Sequence, residues 1–518
     1  MHPDRITVPA AGDGAIQLSE DAEETDGPIA VVDIGSNSIR LAIIETDGHD
    51  FLDVIEEARA VPKLIRDVNA HGSLSDESIE TVLDVLRDFM AIARGSRARE
   101  VYAVATSAVR DASNGSDLVA RAASELGMLV EIAPGTQEAE YAFTGAVHGL
   151  PTDRGIVIDI GGGSMEVVRF AGRELIGAWT LPLGAVRLAD DFTLSDPPRP
   201  KQLDVLRAHV ERVWSEAGIA PIAPGEQFVG TGGTVRNLAK VDRAGRRYPL
   251  PRLHGYGLPV DRLEAVADEL ARRETHDRAD LTGLNPDRAD TIVVGATVVL
   301  SVLRIVGASE LLVSGQGLRE GIALAHGGHG HASIDEVREA AVRRLLHRFG
   351  ASFEAVRARA SVLDALMGTL QPTLSADVEA ALREAVALLD VGRVVDYYTR
   401  HRQTEAILVA HGIAGFSHRE VALICALVRQ AGNERFSTLS YEPLVIPSDV
   451  ASLSEASTIL AACDEVALRV PPGASLISVA NESAVTLAVR DSHGSRNLSV
   501  LGGRFARAFG VPLVLAGV

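Results

Sequence analysis

The sequence predicts an α/β protein made of two similar halves around one cleft, and three observations support this prediction. The segment 156–164 is an apolar run that ends in Asp159 and then three glycines. A similar segment, 29–38, brings Asp33 to the end of another apolar run, 126 residues before Asp159, which is about the size of one domain. Further glycine loops follow short apolar runs at 228–234 and 311–321. Loops at strand ends that converge on one crevice are how open α/β sheets bind ligands.

The glycine loop of the second half is suited to phosphate. Gly161, Gly162 and Gly163 have no Cβ, so their backbone can turn sharply and bring N–H groups close to an anion, and Ser164 adds a hydroxyl donor. Either loop alone is also explained as a tight turn between a strand and a helix. Two copies in matching order favour a duplicated phosphate-binding architecture.

Composition sets limits on the class of protein. With 518 residues and 46% hydrophobic content, the chain can form three or four domains. We expect a soluble, cytoplasmic protein, because no apolar stretch approaches the roughly 20 residues that span a bilayer and the N-terminus lacks a signal-peptide pattern. Cys425 and Cys463 are expected to be buried thiols. A net charge of −20 argues against nucleic-acid binding, so a phosphate-rich substrate needs a locally basic or metal-loaded cleft.

The first half contains the clearest predicted elements. Residues 1–27 are acidic and poor in apolar residues, so we predict a disordered tail. In the first half, 28–145, Ser75 is predicted to cap a helix whose apolar residues recur at helical spacing up to Gly95. A strand at 100–105 follows, and it leads into the segment that contains Arg110.

Three charged residues are candidates for the cleft. Arg110 is either a surface residue at the start of a helix or, as we expect, a phosphate contact, because a guanidinium donates in a planar fork. Glu138 lies in the first turn of a predicted helix, where the sequence alone favours a glutamate that complements the helix dipole. In the second half, 146–325, Glu166 lies on an alternating strand and can share a face with Ser164.

Several segments resemble the exopolyphosphatase and guanosine pentaphosphate phosphatase family. The resemblance implies the duplicated actin-like (ribonuclease H-like) fold over residues 28–325, with the fold shared by sugar kinases and chaperone ATPases. The matching segments, in the order of the family, are DIGSNS (33–38), ATSAVRDASN (105–114), GTQEA (135–139), DIGGGS (159–164), LGAVRL (183–188), GTGGT (230–234), RAD (288–290) and GLREG (317–321).

The resemblance also implies roles for individual residues. Glu138 would orient and activate the attacking water, with Arg110 supplying positive charge from the opposite wall. A divalent cation, expected to be Mg²⁺, would be organised by Asp33, Asp159 and Glu166. The expected phosphate-binding residues are Ser36, Asn37, Gly161, Gly162, Gly163, Ser164, Gly232, Gly233 and Thr234. This set fits phosphoryl transfer, which needs in-line positioning and charge neutralisation more than covalent catalysis.

The sequence departs from the family pattern in three places. The motif Gly-x-Glu-Glu-Ala-Arg reads GTQEAE at 135–140, so Gln137 replaces an acid and Glu140 replaces an arginine. Glu140 is expected to oppose passing phosphates, unless it points to solvent. Met165 stands where the family has threonine, and an expected arginine-leucine-glycine segment is not recognisable near 60–68. These changes predict an altered rate or substrate preference.

The region after Ala325 has a different character. The segment 326–331 (HGGHGH) is interpreted as a linker rather than a metal-binding tract. Residues 332–445 resemble an all-helical domain related to the HD phosphohydrolases, but Leu389, Tyr397 and Gln403 occupy histidine positions and leave Asp390 as a remaining ligand. Too few donors remain to hold a metal, so we predict an interaction or substrate-channel element. Residues 446–518 are predicted to form a small α+β segment.

The predicted function is metal-dependent removal of the terminal phosphate of inorganic polyphosphate, by a homodimer that binds neither nucleic acid nor membranes. Guanosine pentaphosphate is the alternative substrate. A catalytically weakened protein that binds phosphate-rich alarmones is another alternative, which Gln137 and Glu140 keep open. A kinase of the same fold is disfavoured because Glu138 matches the hydrolase motif.

Overall fold

The computed structural model describes residues 16–17, 27–46, 52–327, 332–469, 476–480, 484–489, 496–497 and 499–517. The chain divides into two compact units. Unit 1 comprises 1–246 and 253–334, and unit 2 comprises 247–252 and 335–518. An α/β first part and a helical C-terminal part were both predicted, and both are confirmed.

The first sheet of unit 1 is built around the strand that ends at Asp33. Its strands are β1 (Ile16–Gln17), β2 (Ile29–Ile34), β3 (Ile39–Glu45), β4 (Asp53–Ala60), β5 (Glu100–Ala105) and β6 (Val130–Ile132). The order is β1-β5-β2-β3-β4, with β6 also pairing with β5. Strand β2 runs parallel to β5 and antiparallel to β3. Its first four residues are fully buried, as expected for a strand covered on both faces.

The second sheet repeats this arrangement. Its strands are β7 (Arg154–Ile160), β8 (Met165–Ala171), β9 (Glu174–Leu181), β10 (Gln227–Thr231), β11 (Tyr256–Pro259) and β12 (Glu310–Val313). The order is β11-β12-β10-β7-β8-β9. Strand β7 lies parallel to β10 and antiparallel to β8, so β10-β7-β8-β9 corresponds to β5-β2-β3-β4. The predicted duplication is therefore visible in the strand order.

Helices cover the two sheets. Those of unit 1 are α1 (Ile65–His71), α2 (Asp76–Gly95), α3 (Ser107–Asp111), α4 (Gly115–Leu126), α5 (Gly135–Val147), α6 (Ala185–Phe192), α7 (Pro200–Ala217), α8 (Gly232–Ala244), α9 (Val260–Arg272), α10 (Thr275–Ala279), α11 (Ile292–Val306) and α12 (Leu318–His326), with a 3-10 helix at Pro286–Arg288. The cap predicted for α2 is present, since the Ser75 side chain accepts a hydrogen bond from the Ser78 N–H. Gly95 is the last residue of α2.

Helices α5 and α12 each pack against the sheet of the other half. The apolar face of α5, including Ala139 and Phe143, forms a core with Val157 and Phe170 of the second sheet. Ile322 of α12 packs in a core with strands of the first sheet. The predicted boundaries at 145 and 325 place most of α5 in the first half and α12 in the second, so each helix is separated from the sheet that it covers. Periodicity shows that a helix has an apolar face, but it does not show which distant sheet that face contacts. Those boundaries stay predictions.

The tail differs from its prediction at one point. Ile16–Gln17 form a strand that pairs antiparallel with Val101 and Glu100 of β5, so disorder does not hold for these two residues. The other predicted tail residues up to 26 lie outside the described residues, as do residues 328–331 of the predicted linker. His326, the first residue of that linker, ends α12 and stacks on Tyr102 with ring centroids 4.0 Å apart.

Unit 2 is mainly helical. Its helices are α13 (Ile334–Arg348), α14 (Phe353–Leu370), α15 (Ala376–Leu388), α16 (Arg400–His411), α17 (His418–Gly432), α18 (Val450–Ala467) and α19 (Ser499–Phe509), with 3-10 helices at Val391–Val394, Thr438–Tyr441 and Pro447–Asp449. Strands β13 (Leu476–Ala480), β14 (Val485–Val489), β15 (Arg496–Asn497) and β16 (Leu513–Gly517) form a sheet in the order β13-β14-β16-β15. The α+β character predicted for the C-terminal segment is therefore present.

One apolar core runs through unit 2. It includes Leu453 of α18, Val485 of β14 and Phe505 of α19, together with residues of α14, α15 and α17. Cys425 and Cys463 are free and buried in it, as predicted. The packing shows no division at 446, and α18, which the sequence prediction assigned to the C-terminal segment, lies within the helical bundle.

The aspartate of the predicted degenerate HD site is held by arginines. Asp390 accepts a hydrogen bond from the buried Arg359 at 2.6 Å and lies 3.7 Å from Arg400 Nε. Arg400 also binds Asp464 at 2.5 Å. Two guanidinium groups beside Asp390 neutralise the charge that a metal would need, so this carboxylate serves a buried ion-pair network. The relation to HD proteins stays a prediction.

Candidate active site

The two aspartate loops have the same geometry. In each, a hairpin of four residues joins two strands, and the N–H of the first glycine donates to the carbonyl of the serine: Gly35 to Ser38 at 3.2 Å and Gly161 to Ser164 at 3.0 Å. Across the strands, Asp33 is paired with Arg40 and Asp159 with Glu166. The duplication is therefore exact in register but not in charge, since one half places an arginine where the other places a glutamate.

Both loops open into one solvent-accessible cleft. Its polar lining comes from both halves of unit 1. The lining residues are Asp33, Gly35, Ser36, Asn37, Ser38, Arg40, Thr106, Glu138, Asp159, Ile160, Gly161, Gly162, Ser164, Glu166, Thr231, Gly232, Gly233, Arg236, Arg288, Gly317, Leu318, Arg319 and Glu320.

Glu138 enters the cleft from the first turn of α5, which begins after Pro134. Its side chain is 11% exposed, and its Oε2 accepts a hydrogen bond from Arg110 at 2.7 Å. Burial raises the pKa of Glu138 to about 7, and Asp159 and Asp33 add to this shift while Arg110 opposes it. A carboxylate with a pKa near the working pH is suited to accept a proton from water.

The other carboxylates of the cleft crowd the same space. Burial raises the pKa of Asp33 to about 6, and Asp159 adds to the shift. The pKa of Glu166 is raised well above its ordinary value, first by burial and then by the charges of Glu138 and Asp159. Glu166 Oε1 is buried and has no hydrogen-bond partner. Buried carboxylates that raise one another's pKa, one of them with an unpartnered oxygen, attract a cation.

The donor set fits a hard divalent cation bound partly through substrate. Among the described residues, no three His, Cys, Asp or Glu side chains form a ready metal-binding group. Mg²⁺ does not need such a group, because it retains waters and is commonly held by one or two carboxylates plus phosphate oxygens. Asp33 and Asp159, each at a strand end in the cleft, can supply those carboxylates.

Four arginines supply positive charge to the same cleft. Burial and the neighbouring Arg236 lower the pKa of Arg40 to about 9, and burial and Arg59 lower that of Arg288 to about 10. Arg319 donates to Glu57 at 2.6 Å. Burial and mutual repulsion both disfavour the positive charges of Arg40 and Arg288, and a phosphate chain would relieve the repulsion.

Most of the predicted site residues line the cleft. They are Asp33, Ser36, Asn37, Glu138, Asp159, Gly161, Gly162, Ser164, Glu166, Gly232 and Gly233. Gly232 has φ +89° and lies against the Asp159 carboxylate, so a side chain there would be strained and would collide with it. Gly163 and Thr234 are not among the lining residues. A Cβ on Gly163 would meet Ser107 and Ser36, so this glycine serves the close packing of the loops.

Arg110 lies beside the cleft lining rather than in it. Its guanidinium donates to the Ala133 carbonyl at 2.8 Å and to Glu138. The direct phosphate contact stays a prediction, and these contacts also suit Arg110 to hold Glu138 in place. The sequence pattern predicts that Arg110 follows a strand end, which is where it lies. It does not show that Arg110 forms an ion pair with a glutamate 28 residues later.

The arginines of the lining were not predicted from the sequence. Arg288 and Arg319 lie in segments that matched the family, RAD and GLREG, but no role followed from the match. The signal that could have found them is the net charge of −20, which requires a locally basic cleft for any polyanion. Arg40 had a further signal, since it lies two residues beyond Ser38 on the same strand face.

The departures from the family pattern lie beside the cleft. Glu140 and Met165 are not among the lining residues, and Met165 is fully buried. The expectation that Glu140 opposes passing phosphates stays a prediction. Gln137 donates to the Tyr141 hydroxyl at 3.0 Å. In the unrecognised segment 60–68, Ile65 N–H donates to the Ser36 carbonyl at 3.0 Å, so this segment supports the first loop.

Within the part of the chain that the structure describes, no helix is both long and apolar enough to cross a membrane.

Comparisons with known proteins agree with this geometry. The model of the Ppx/GppA phosphatase family matches residues 42–326. Exopolyphosphatase 1 of Mycobacterium leprae is 29% identical over 300 residues, which are 57% of this chain and 88% of that protein. Exopolyphosphatase 2 of Mycobacterium tuberculosis is 32% identical over 316 residues, covering 58% of this chain and 98% of that protein.

Solved structures give the same result. A Ppx/GppA family member from Aquifex aeolicus is 30% identical with a TM-score of 0.51, covering 58% of this chain and 97% of that one. An exopolyphosphatase from Cytophaga hutchinsonii is 26% identical with a TM-score of 0.54, covering 59% and 100%. Together with the paired loops and the buried glutamate, these matches show that the chain belongs to the Ppx/GppA phosphatase family.

Proposed function

We propose that this protein is an exopolyphosphatase, a hydrolase that removes the terminal phosphate of inorganic polyphosphate. The observation that carries the proposal is the meeting of a buried, proton-accepting glutamate with two aspartate-glycine loops and four arginines in one cleft. The relatives named exopolyphosphatase support the substrate.

Each group has a role in this reaction. The terminal phosphate would lie between the two loops, with Ser36 and Ser164 as hydroxyl donors and the arginines neutralising the next phosphates. Glu138 would hold the attacking water through Oε1 and accept its proton, while Arg110 fixes Oε2. A divalent cation, for which we propose Mg²⁺, would be held by Asp33 and Asp159 and would neutralise charge on the phosphate oxygens.

The lining favours a phosphate chain over a nucleotide. Among the described residues that line the cleft there is no aromatic side chain that could stack on a guanine base. Guanosine pentaphosphate therefore serves as the comparison substrate. A binding protein without turnover is disfavoured because Glu138, the proposed general base, lines the same cleft as both loops.

Phosphate release tests the proposal. The full chain is incubated with long-chain polyphosphate, guanosine pentaphosphate or ATP, with Mg²⁺ and, separately, with Mn²⁺ or Ca²⁺. We expect the highest kcat/KM with polyphosphate and Mg²⁺. Preference for guanosine pentaphosphate would reassign the substrate, and tight polyphosphate binding without release would favour the binding-protein alternative.

We also propose that the protein works as a homodimer in the cytoplasm. Light scattering at several protein concentrations tests the oligomeric state.

A further inference from the structure

A row of side chains leads outward from Asp33 across the first sheet. Asp33 of β2 is paired with Arg40 of β3, and Arg40 is paired with Arg59 of β4. Residues directly opposite each other on neighbouring strands lie on the same face, with Cβ atoms about 5 Å apart. Arg40 lines the cleft, whereas Arg59 is the next cation outward and is not among the lining residues. The sheet therefore continues the positive charge of the cleft beyond its lining.

Helix α8 of the second half carries a matching pair. Arg236 lines the cleft, and Lys240 follows one turn later, so the two side chains are neighbours on one helix face. Lys240 is exposed, and within the described residues no ion pair is recorded for it. Burial and the charges of Arg236 and Arg243 lower its pKa, and Glu57 opposes this shift only in part. Lys240 therefore lies in a positive local field on a protein whose net charge is −20.

The two rows are close enough to influence each other. Arg236 and Arg288 lower the pKa of Arg40, and Arg59 lowers that of Arg288. Two acidic residues beside these rows, Asp287 and Glu57, already form ion pairs with arginines. Asp287 lies 3.5 Å from Arg59 and is half exposed, and Glu57 binds Arg319. A longer phosphate chain can displace Asp287 from Arg59 without uncovering a buried charge.

We propose that the internal phosphates of polyphosphate leave the cleft between these two rows, and that Arg59 and Lys240 are an outer phosphate-binding site that sets the preference for long chains. The proposal rests on the proposed function, because it assumes that the terminal phosphate lies at the two loops. It concerns residues outside the cleft lining, where a short substrate does not reach.

The test uses the full chain with Arg59→Gln, Lys240→Gln and the double variant. Arg212→Gln is the matched control, because Arg212 is an exposed arginine on α7 paired with Glu216. Exposed ion pairs are individually weak, so KM for long-chain polyphosphate should rise about threefold in each single variant and about tenfold in the double variant. KM for tripolyphosphate should rise much less. The slope of log KM against log salt should fall by about one for each cation removed.

A variant that binds polyphosphate more tightly distinguishes the outer site from a folding defect, because misfolding would only weaken binding. Asp287→Asn removes the carboxylate that competes for Arg59, so it should lower KM for long chains, and Lys240→Glu should raise KM more than Lys240→Gln. Direct binding of long-chain polyphosphate is measured in parallel by fluorescence anisotropy. Binding and KM in the double variant equal to those of Arg212→Gln would overturn the outer site. Wild-type binding without phosphate release would overturn the proposed function alone, and no binding at all would overturn both.

Discussion

Glu138 is the residue on which the proposed chemistry depends, so its replacement gives the most direct test. Glu138→Gln keeps the size of the side chain but cannot accept the proton of water. We expect turnover of polyphosphate to fall by roughly a hundredfold or more, the scale of a positioned general base, with binding retained. Glu140→Gln is the matched control, since it removes a carboxylate from the same helix outside the cleft lining. Turnover near wild type in Glu138→Gln would remove this residue from the mechanism.

The pH dependence of activity follows from the same residue. Glu138 must be ionised to act, and its pKa is raised to about 7, so activity should be lost as pH falls through that value. A bound cation would lower this pKa, which places the midpoint of the acid limb at or below about 7. A profile of kcat/KM from pH 5 to 9 measures it. Glu138→Gln should lack this limb.

Arg110 is predicted to act through Glu138. It stabilises the ionised carboxylate, so Arg110→Gln should move the acid limb to higher pH as well as lower the rate. Arg121→Gln, which removes a half-buried arginine of α4 that pairs with Glu80 and Glu125 away from the cleft lining, is the control. An unchanged limb with a lower rate would mean that Arg110 acts on substrate or on folding instead.

Asp159 is expected to govern the response to divalent cations. Asp159→Asn removes a charge beside the proposed cation, so the Mg²⁺ concentration for half-maximal activity should rise by roughly tenfold or more, as for supporting groups of metal sites. Asp153→Asn changes an exposed aspartate just before β7 and should leave the Mg²⁺ titration as it is. The same titration curve in both variants would show that Asp159 does not hold the cation.

At the scale of residues, the features predicted from the sequence are those that leave a local sequence pattern. The two loops and Glu138 were found because strands that end in Asp-Ile-Gly and a matching motif are local signals. The partner of Arg110 and the side chains of Arg236 and Arg40 depend on contacts between distant segments. No periodicity reports such contacts, which is why the arginines of the cleft were missed.

At the scale of elements, prediction succeeded for strands and failed for helix partners. Strand β2 and helix α2 were predicted because burial on both faces and a Ser75 cap leave clear patterns. The crossing of α5 and α12 was not predicted, although both helices contain glycines. A Cβ on Gly145 would collide with the Gly317 carbonyl oxygen, and a Cβ on Gly321 would collide with the Tyr141 carbonyl oxygen. These glycines let the two helix backbones touch.

This contact predicts a large effect of a small substitution. Gly145→Ala and Gly321→Ala should each destabilise unit 1 by about 1–3 kcal/mol or more, since an added methyl group forces the helices apart. Activity should fall too, because α5 carries Glu138. Gly95→Ala is the control. A Cβ there meets nothing within 4 Å, so this change should be neutral or stabilising by up to about 1 kcal/mol. Equal denaturant midpoints for all three variants would refute the packing argument.

At the scale of the whole molecule, the family resemblance accounts for one unit only. The family model ends at residue 326. The alignments cover 88% and 98% of the two mycobacterial relatives but only 57% and 58% of this chain. Proteins of about the length of unit 1 therefore exist alone. Unit 2 has its own continuous core, in which Leu250, from the segment 247–252, is buried.

These facts predict that residues 1–334 fold and act without the rest. Removing 335–518 exposes Leu250, so the shortened chain should carry Leu250→Ser to limit aggregation, and the full chain with the same substitution is its control. We expect a single cooperative unfolding transition and a kcat for tripolyphosphate within a few-fold of the control, because the loops, Glu138 and the four cleft arginines all lie in unit 1.

Binding of long-chain polyphosphate to the shortened chain should be weaker if unit 2 extends the substrate channel. Equal affinity of both chains for long and short polyphosphate would exclude that role for unit 2, and a folded but inactive short chain would mean that the site needs residues beyond 334.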